Sequence, residues 1–591
     1  MIGKLTMRPA HKGLLFCAGY VLGRRNMNYI TPVGFRDVMS DEALVREDLT
    51  ARVRTCFAQK GYRPVETPTL EVLDVMEAGG HVPEAPFKFF DSHGDLLAMR
   101  PDVTMQIARM CATRGVAQGK PLRLRYTQRV FREKTAEAAA RELTQCGAEC
   151  IGAAGSEADV ELVSLLASAL TECGLESFTI ALGSAGVLRD LLDASGASEQ
   201  WKTAVMQAYH TSNFVYLEEL VAAAERVANG GEEEVADEAR FKLADPAIAN
   251  PGRVVPAIAR AIFSLSRLRG GKEELAQVRA MLEPLGCARG INELEGVYNA
   301  LVESGLEGKV LIDFSVMSSF DYYTGLVFEA YAPGLGSPLG GGGRYDNLLA
   351  QYGAEKVPAA GFAFYLEQVM AALESSEATR PLRIAVPKGS LKEDAIATLE
   401  AAGLDVTGLA DAGRTLMLRN GDVEYLFVRP TDAPVFVALG AADCGICGED
   451  SLIEASPDVI ELADLKFGGC RFVVAESAGT TEAVESRYRK LGSIRVATKY
   501  PNITRSYYAK MGMPVEIVKL HGNIELAPIT GMAERIIDIT ATGTTLRENN
   551  LVVVDDVLAS TARFFANPCS YRTNPRVGKL ADVLYSQTKE N

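Results

Sequence analysis

The sequence is poor in the residues that build zinc hydrolases: it holds five histidines in 591 residues, and no two are spaced H-x-x-x-H. Cysteine is present but unpatterned. Eleven is an odd number, the residues are scattered, and no cluster has paired zinc-finger spacing, so the chain reads as reduced and cytosolic. The one C-x-x-C, Cys444 to Cys447, has no partner motif and reads as two small buried residues rather than a redox pair. No segment approaches the ~18 consecutive apolar residues of a membrane helix. An excess of basic charge is also missing. The net charge is −15, of which −4 lies from Pro381 onward (23 Lys and Arg against 27 Asp and Glu) and −11 on residues 1–380. A polyanion is therefore an unsuitable main partner, least of all for the front part.

What is present is ordinary globular composition, 48% hydrophobic and 23% charged, at a length worth about four domains. Residues 1–26 carry Lys4, Arg8, Lys12, an apolar stretch from Gly13 to Gly23 and Arg24-Arg25. That stretch is glycine-interrupted, short, and followed by charge rather than a cleavage site, so it is expected to be a dispensable extension. The clearest break is a polar stretch at 374–380, a linker between a module at 27–373 and one at 381–591. In the first module an amphipathic helix is expected from Glu42 to Gln59 and an alternating strand from Leu122 to Phe131. Residues about 185–310 read almost wholly helical, with Gly230-Gly231 and Gly270-Gly271 as breaks, and so form an insertion in a mixed domain. In the second module short apolar strands alternate with helices, which predicts mostly parallel sheets in two lobes, about 381–470 with a C-terminal return and about 471–565.

The second module holds the clearest chemistry. A buried strand, Ile536 to Ile539, runs straight into Thr540-Ala541-Thr542-Gly543-Thr544-Thr545 and then a helix expected from near Leu546. Small hydroxyl and glycine residues let backbone N–H groups approach a phosphate, and Asp538 at the strand end suits vicinal ribose hydroxyls, so the ligand expected is a phosphorylated ribose. Gly340 to Arg344, by contrast, lacks the ending of a nucleotide P-loop.

The segments VPKGSL (Val386 to Leu391), FVRPTDAPVFVALGAADCGICGEDSLIE (Phe427 to Glu454), KFGGCRFVVA (Lys466 to Ala475), ATKYPNITRSYYAKMG (Ala497 to Gly512) and KLHGNIELAPITGMAERIIDITATGTTLRENNL (Lys519 to Leu551) resemble the ATP phosphoribosyltransferase family across nearly all of 382–591. The resemblance implies a two-lobed, periplasmic-binding-protein-like α/β fold. It also implies transfer of phosphoribosyl from phosphoribosyl pyrophosphate to N1 of ATP with Mg²⁺, whose ligands stay unassigned. It gives Arg414 and Arg429 the leaving pyrophosphate, Lys388 the nucleotide or pyrophosphate, Glu525 and Asp538 the ribose, and Ala541, Thr542, Gly543, Thr544 and Thr545 the 5′-phosphate. Arginine suits pyrophosphate because its planar fork binds oxygens in pairs. The chain stops soon after Leu551, as in the short form that depends on a separate regulatory subunit.

The first module carries TPVGFRD (Thr31 to Asp37), MRPDVT (Met99 to Thr104), VFR (Val130 to Arg132), RELTQCGAE (Arg141 to Glu149), FDYYTG (Phe320 to Gly325) and GGGRYD (Gly341 to Asp346). These are similar to the catalytic core of class II histidyl-tRNA synthetase, an antiparallel sheet flanked by helices. Arg141, Gln145 and Glu149 are four apart, which aligns them on a helix or a strand; Gly147 and the apolar alternation favour a strand. The resemblance places Asp102, Thr104, Arg132, Gln145, Glu149, Tyr322 and Tyr323 around a histidine. Two departures matter. Serine stands at Ser318 where a synthetase has arginine, and GFAFYLEQ (Gly361 to Gln368) ends in Gln368 rather than arginine; both losses remove cations from ATP phosphates. The anticodon-binding domain is replaced by the transferase-like part.

The expectation is thus a multidomain α+β and α/β chain: a synthetase-like regulatory module fused to its transferase, inhibited by histidine, cytoplasmic, homo-oligomeric, and without tRNA or membrane partners. The rival readings are a chain that also aminoacylates tRNA, and a non-enzymatic two-lobed solute-binding module.

Overall fold

The computed structural model describes residues 30–80, 85–115, 120–133, 140–230, 245–317, 322–375, 380–540 and 543–590. The expected extension at 1–26, Ser318, Ala541, Thr542 and most of the linker lie outside them. Glu374 still ends the helix Leu366–Glu374.

Nine strands form the front sheet, in the order Arg63–Pro64, Leu122–Phe131, Glu142–Ile151, Ala359–Tyr365, Gly340–Arg344, Leu326–Tyr331, Thr179–Ser184, Val310–Asp313 and Arg269–Gly270. The long central pairs are antiparallel, and the helices Ser40–Gln59 and Ser156–Glu172 cover one face through Val53, Phe57, Leu162 and Leu166. The strand expected from Leu122 to Phe131 is observed with those bounds, and Gln145 and Glu149 lie on the strand Glu142–Ile151.

The described residues between Ala185 and Leu301 are mostly helical, and side-chain caps start three of the helices: Ser184, Ser198 and Asn213 each accept the backbone N–H three residues on. The single tryptophan, Trp201, is fully buried there and donates to the Leu220 carbonyl at 3.0 Å. The expected break at Gly270-Gly271 separates the helices Pro256–Arg267 and Lys272–Leu282, and within it Arg269–Gly270 forms a two-residue strand paired antiparallel to Ile312 and Asp313 at the sheet edge.

Behind it lie two sheets. The first runs Met417–Asn420, Val423–Val428, Leu382–Pro387, Cys444–Gly448, Ala562–Ala566, Ile460–Asp464; the second runs Val515–Lys519, Ile494–Thr498, Arg535–Thr540, Cys470–Ser477, Leu551–Ser560. Neither is mostly parallel as expected. Each has a parallel half and an antiparallel half made by the strands that cross between the sheets. The second sheet ends at Ser560, short of the expected 565, because Ala562–Ala566 belongs to the first.

Cys444 and Cys447 sit on opposite faces of one strand in different apolar clusters, both fully buried, and burial pushes both thiols well above the ordinary range. They are packing residues. One continuous apolar core joins the helical block to the first transferase sheet through the helix Pro575–Glu590, by Val577, Leu580 and Leu584. Polar groups reinforce the junction. Tyr585 donates to Glu218 at 2.8 Å, Arg267 pairs with Asp582 at 3.2 Å, and Arg269 donates to the Tyr571 carbonyl at 2.7 Å.

Candidate active site and effector cavity

The front sheet encloses a cavity of about 300 Å³. Asp102, Thr104, Arg132, Gln145, Tyr322 and Tyr323, six of the seven residues expected around histidine, line it. Their polar atoms are held by one another. Gln145 Nε2 donates to Asp102 at 3.0 Å while its Oε1 accepts the Val103 N–H at 3.1 Å, and Arg132 donates to the Pro101 carbonyl at 3.1 Å and to the Tyr365 hydroxyl. The rings of Tyr322 and Tyr323 stand 4.7 Å apart.

The seventh residue differs. Glu149 does not line the cavity; it is 0% exposed behind it. Its carboxylate accepts from Thr104 at 2.6 Å, from Tyr126 at 3.2 Å and from Tyr345. Burial pushes this carboxyl up to about 8, against those hydroxyls. Gly361 lies opposite it in the register, where a Cβ would fall 1.6 Å from the carboxylate, so only glycine fits. What sequence spacing could not separate is a residue that touches a ligand from one that fixes two of the residues doing so.

The transferase part shows a different construction. Lys388 follows Leu382–Pro387 and Arg429 follows Val423–Val428, which are adjacent parallel strands with Pro387 opposite Val428. Arg414 lies in the turn before Met417–Asn420, the next strand along, tied by the Phe427 N–H to the Leu416 carbonyl at 2.9 Å. Because Met417–Asn420 is antiparallel to Val423–Val428, its amino end lies beside the carboxyl ends of the two parallel strands, so the three cations share one edge of the sheet; Arg414 and Arg429 are exposed and Lys388 half-buried.

The second sheet repeats the plan. Its carboxyl edge carries Asp538 and Thr540, and the Thr540 hydroxyl accepts the Gly543 N–H at 2.8 Å, folding the chain into a turn whose Gly543 has a φ of 68°. Thr544 and Thr545 are exposed on it. The following helix, Thr544–Glu548, starts earlier than expected and is five residues long. A helix that short supplies little dipole. Desolvation raises the Asp538 carboxyl above its usual range, with neighbouring Glu525 adding to the rise and Lys499 opposing it.

Three cations here escaped the sequence reading. Lys499 follows Ile494–Thr498, the strand between two parallel neighbours. Arg471 pairs with Thr540 across the ladder and so shares its face; it reaches Asp556 at 3.0 Å. Arg547 donates to the Thr544 hydroxyl at 3.3 Å. Lys499 could have been found from its place after a short apolar strand; the other two have no sequence signal.

In both sheets the strand followed by lysine, Lys388 or Lys499, has parallel neighbours on its two sides, the position where open α/β sheets bind ligands. The lobes also touch directly: Glu454 of the first accepts the Asn502 and Ile503 N–H groups at the start of helix Pro501–Lys510 of the second, at 2.9 and 3.1 Å. No described helix is long and apolar enough to cross a membrane.

Residues 34–369 match the family model for histidyl-tRNA synthetase, and residues 429–586 that for ATP phosphoribosyltransferase. The ATP phosphoribosyltransferase of Rubrobacter xylanophilus is 52% identical over 211 residues, 36% of this chain and 97% of that protein. The ATP phosphoribosyltransferase regulatory subunit of Moorella thermoacetica is 36% identical over 350 residues, 59% of this chain and 82% of that one. Among solved structures, a Bacillus halodurans ATP phosphoribosyltransferase regulatory subunit/histidyl-tRNA synthetase aligns over 68% of this chain and 100% of its own, at 25% identity and a TM-score of 0.50. The chain belongs to the ATP phosphoribosyltransferase family, with a synthetase-like domain of the regulatory-subunit kind ahead of the catalytic one on a single polypeptide.

Proposed function

We propose that this chain transfers phosphoribosyl from phosphoribosyl pyrophosphate to N1 of ATP, releasing pyrophosphate, and that its front domain (27–373) makes the back domain (381–591) sensitive to histidine. The observation that carries the reading is the pairing of a cationic carboxyl edge on one lobe with a carboxylate-and-threonine edge on the other. Loss of pyrophosphate leaves positive charge on the ribose ring and collects negative charge on the leaving group, so the site needs cations at one end and a rigid hold on the sugar at the other.

Arg414 and Arg429 take the pyrophosphate and Lys388 the adjoining nucleotide phosphates. Glu525 and Asp538 hold the ribose hydroxyls. Ala541 to Thr545 hold the 5′-phosphate, with Lys499, Arg471 and Arg547 as neighbouring countercharge. Adenine N1 brings its own lone pair, so no general base is required. Two adjacent carboxylates, Glu525 and Asp538, suit Mg²⁺, which prefers one or two carboxylates together with substrate phosphates and water. The ion would supply charge neutralisation at the pyrophosphate.

In the front domain the cavity offers an acidic and amide end at Asp102 and Gln145 for an ammonium, Arg132 for a carboxylate and tyrosine faces for an imidazole. Exposed Ile30, Val33, Leu44, Val45, Phe89 and Phe90 leave apolar surface on this domain for a second copy of the chain. The enzyme would act in the cytoplasm. Aminoacylation of tRNA is disfavoured by Gln368 and by the acidic front part.

Purified protein, ATP, phosphoribosyl pyrophosphate and Mg²⁺ are mixed and the ultraviolet absorbance of the N1 adduct followed with and without histidine. Adduct formation suppressed by histidine is expected. Absence of adduct would overturn the activity, and adduct formation indifferent to histidine would overturn the regulatory reading alone.

A further inference from the structure

The cavity described above is not closed by the front domain alone. Its far wall is made by Asp458, Pro568 and Arg572 of the transferase. We propose that Arg572 is the positioning residue through which filling of this cavity is conveyed to the transferase lobes; the proposal rests on the reading of the cavity as an amino-acid site.

Arg572 is buried, its side chain 4% exposed; its Nη1 donates to the Pro568 carbonyl of its own helix at 3.4 Å, and its other described hydrogen bonds go to the front domain. Its Nε donates to Asp313 at 2.9 Å and its Nη2 to the Ser315 hydroxyl at 3.1 Å, and its guanidinium lies 5.0 Å from the Tyr331 ring centre. Ser315 in turn donates its backbone N–H to Asp313 at 2.9 Å and its hydroxyl to the same carboxylate. Ser315, Val316 and Met317 themselves line the cavity. A ligand seated against them therefore presses on the groups that hold the guanidinium.

On its inner side Arg572 is one step from the interlobe crossing. It lies in the helix Pro568–Thr573, directly after Asn567. Asn567 is fully buried; its side chain accepts the Cys569 and Ser570 N–H groups and donates to the carbonyls of Gly336, at 2.9 Å, in the front domain and Val437, at 3.0 Å, in the transferase. Before it runs Ala562–Ala566, the fifth of the six strands of the first-lobe sheet, and before that Leu551–Ser560, in the second. A shift of Arg572 thus acts on the segment that joins the lobes rather than on an isolated loop. Coupling requires differential contact with two arrangements, and a buried charge pair changes its partners in discrete steps.

The test compares the wild type, Gln145→Ala, the double variant Asp313→Asn with Arg572→Met, which removes both charges together, and the milder Ser315→Ala. For each, histidine binding is measured by calorimetry, and turnover at increasing histidine by adduct absorbance. In the double variant histidine affinity should stay within about threefold and basal turnover within about twofold, while the half-inhibitory concentration rises by about tenfold or more. Ser315→Ala should move it the same way by a smaller factor. Full wild-type inhibition in both variants, or histidine affinity lost along with inhibition, would overturn the role of Arg572. If the double variant does not fold, Ser315→Ala with unchanged melting decides: unchanged inhibition overturns the proposal. A wild type that binds no histidine, or a Gln145→Ala variant inhibited as the wild type, overturns the cavity reading itself and the proposal with it.

Discussion

The two sites of this chain are built on opposite plans. The front cavity is built from buried groups whose hydrogen bonds are already made: on its wall Asp102 by Gln145 and Arg132 by a carbonyl and a tyrosine, and behind the wall Glu149 by three hydroxyls. The transferase edges carry exposed cations and an exposed threonine turn. A regulator that must recognise one small molecule gains from preorganisation, because little ordering cost remains at binding. A transferase that must admit two large anions and release another gains from cations left solvated until the substrates arrive. The same residue types therefore have different stability consequences in the two places.

The largest effect is expected from Arg429→Ala or Arg414→Ala, which should lower turnover ~10²- to 10³-fold with no change in melting temperature, since both are exposed. Steady-state rates and calorimetric melting test this together; a variant that melts early or keeps turnover within about threefold would break the contrast. Glu149→Ala should do the reverse. It leaves the Thr104, Tyr126 and Tyr345 hydroxyls without their acceptor and should cost about 2–4 kcal/mol in denaturant unfolding, with the basal rate per folded molecule kept.

A third prediction sharpens the same point by pH. Because the folded Glu149 carboxyl titrates near 8, above its ordinary 4.5, its contribution to stability is complete below the ordinary value and is lost as pH rises through about 8. Glu149→Gln should remove that component, so the wild type should lose stability relative to the variant between pH 5 and 8.5; parallel Tm profiles would refute it. Lys499→Met should raise the KM for phosphoribosyl pyrophosphate about tenfold, the worth of one charge-assisted contact, with kcat changed less. The smallest effect is Glu454→Ala, which removes an interlobe helix cap worth ~1 kcal/mol and should shift second-lobe protection in amide exchange with kcat within about threefold.

Much of this was legible in the sequence where periodicity or a strand-turn pattern carried it. The strand Leu122–Phe131 announced itself by alternation, and Asp538 with its threonine turn by the buried strand in front of it. Pairing direction was not legible. Alternating strands and helices read as parallel, whereas Cys470–Ser477 and Ala562–Ala566, each entering its sheet from the other one, pair antiparallel with both neighbours. Nor was layering: Gln145 and Glu149 share a strand face, yet only Gln145 touches the cavity, since Thr104 and Tyr345 cover the other. Arg572 is a lone arginine outside every quoted segment, and only its long-range contacts with Asp313 and Ser315 give it meaning.

The strand Ala562–Ala566 sits inside the first-lobe sheet, between Cys444–Gly448 and Ile460–Asp464. Domains fold in the order in which the ribosome delivers them. The front sheet has all of its described strands by Tyr365, whereas the edge strand Ile460–Asp464 of the first-lobe sheet has no neighbour to pair with until residue 566 has left the exit tunnel. Each new molecule therefore completes its front domain before its catalytic sheet.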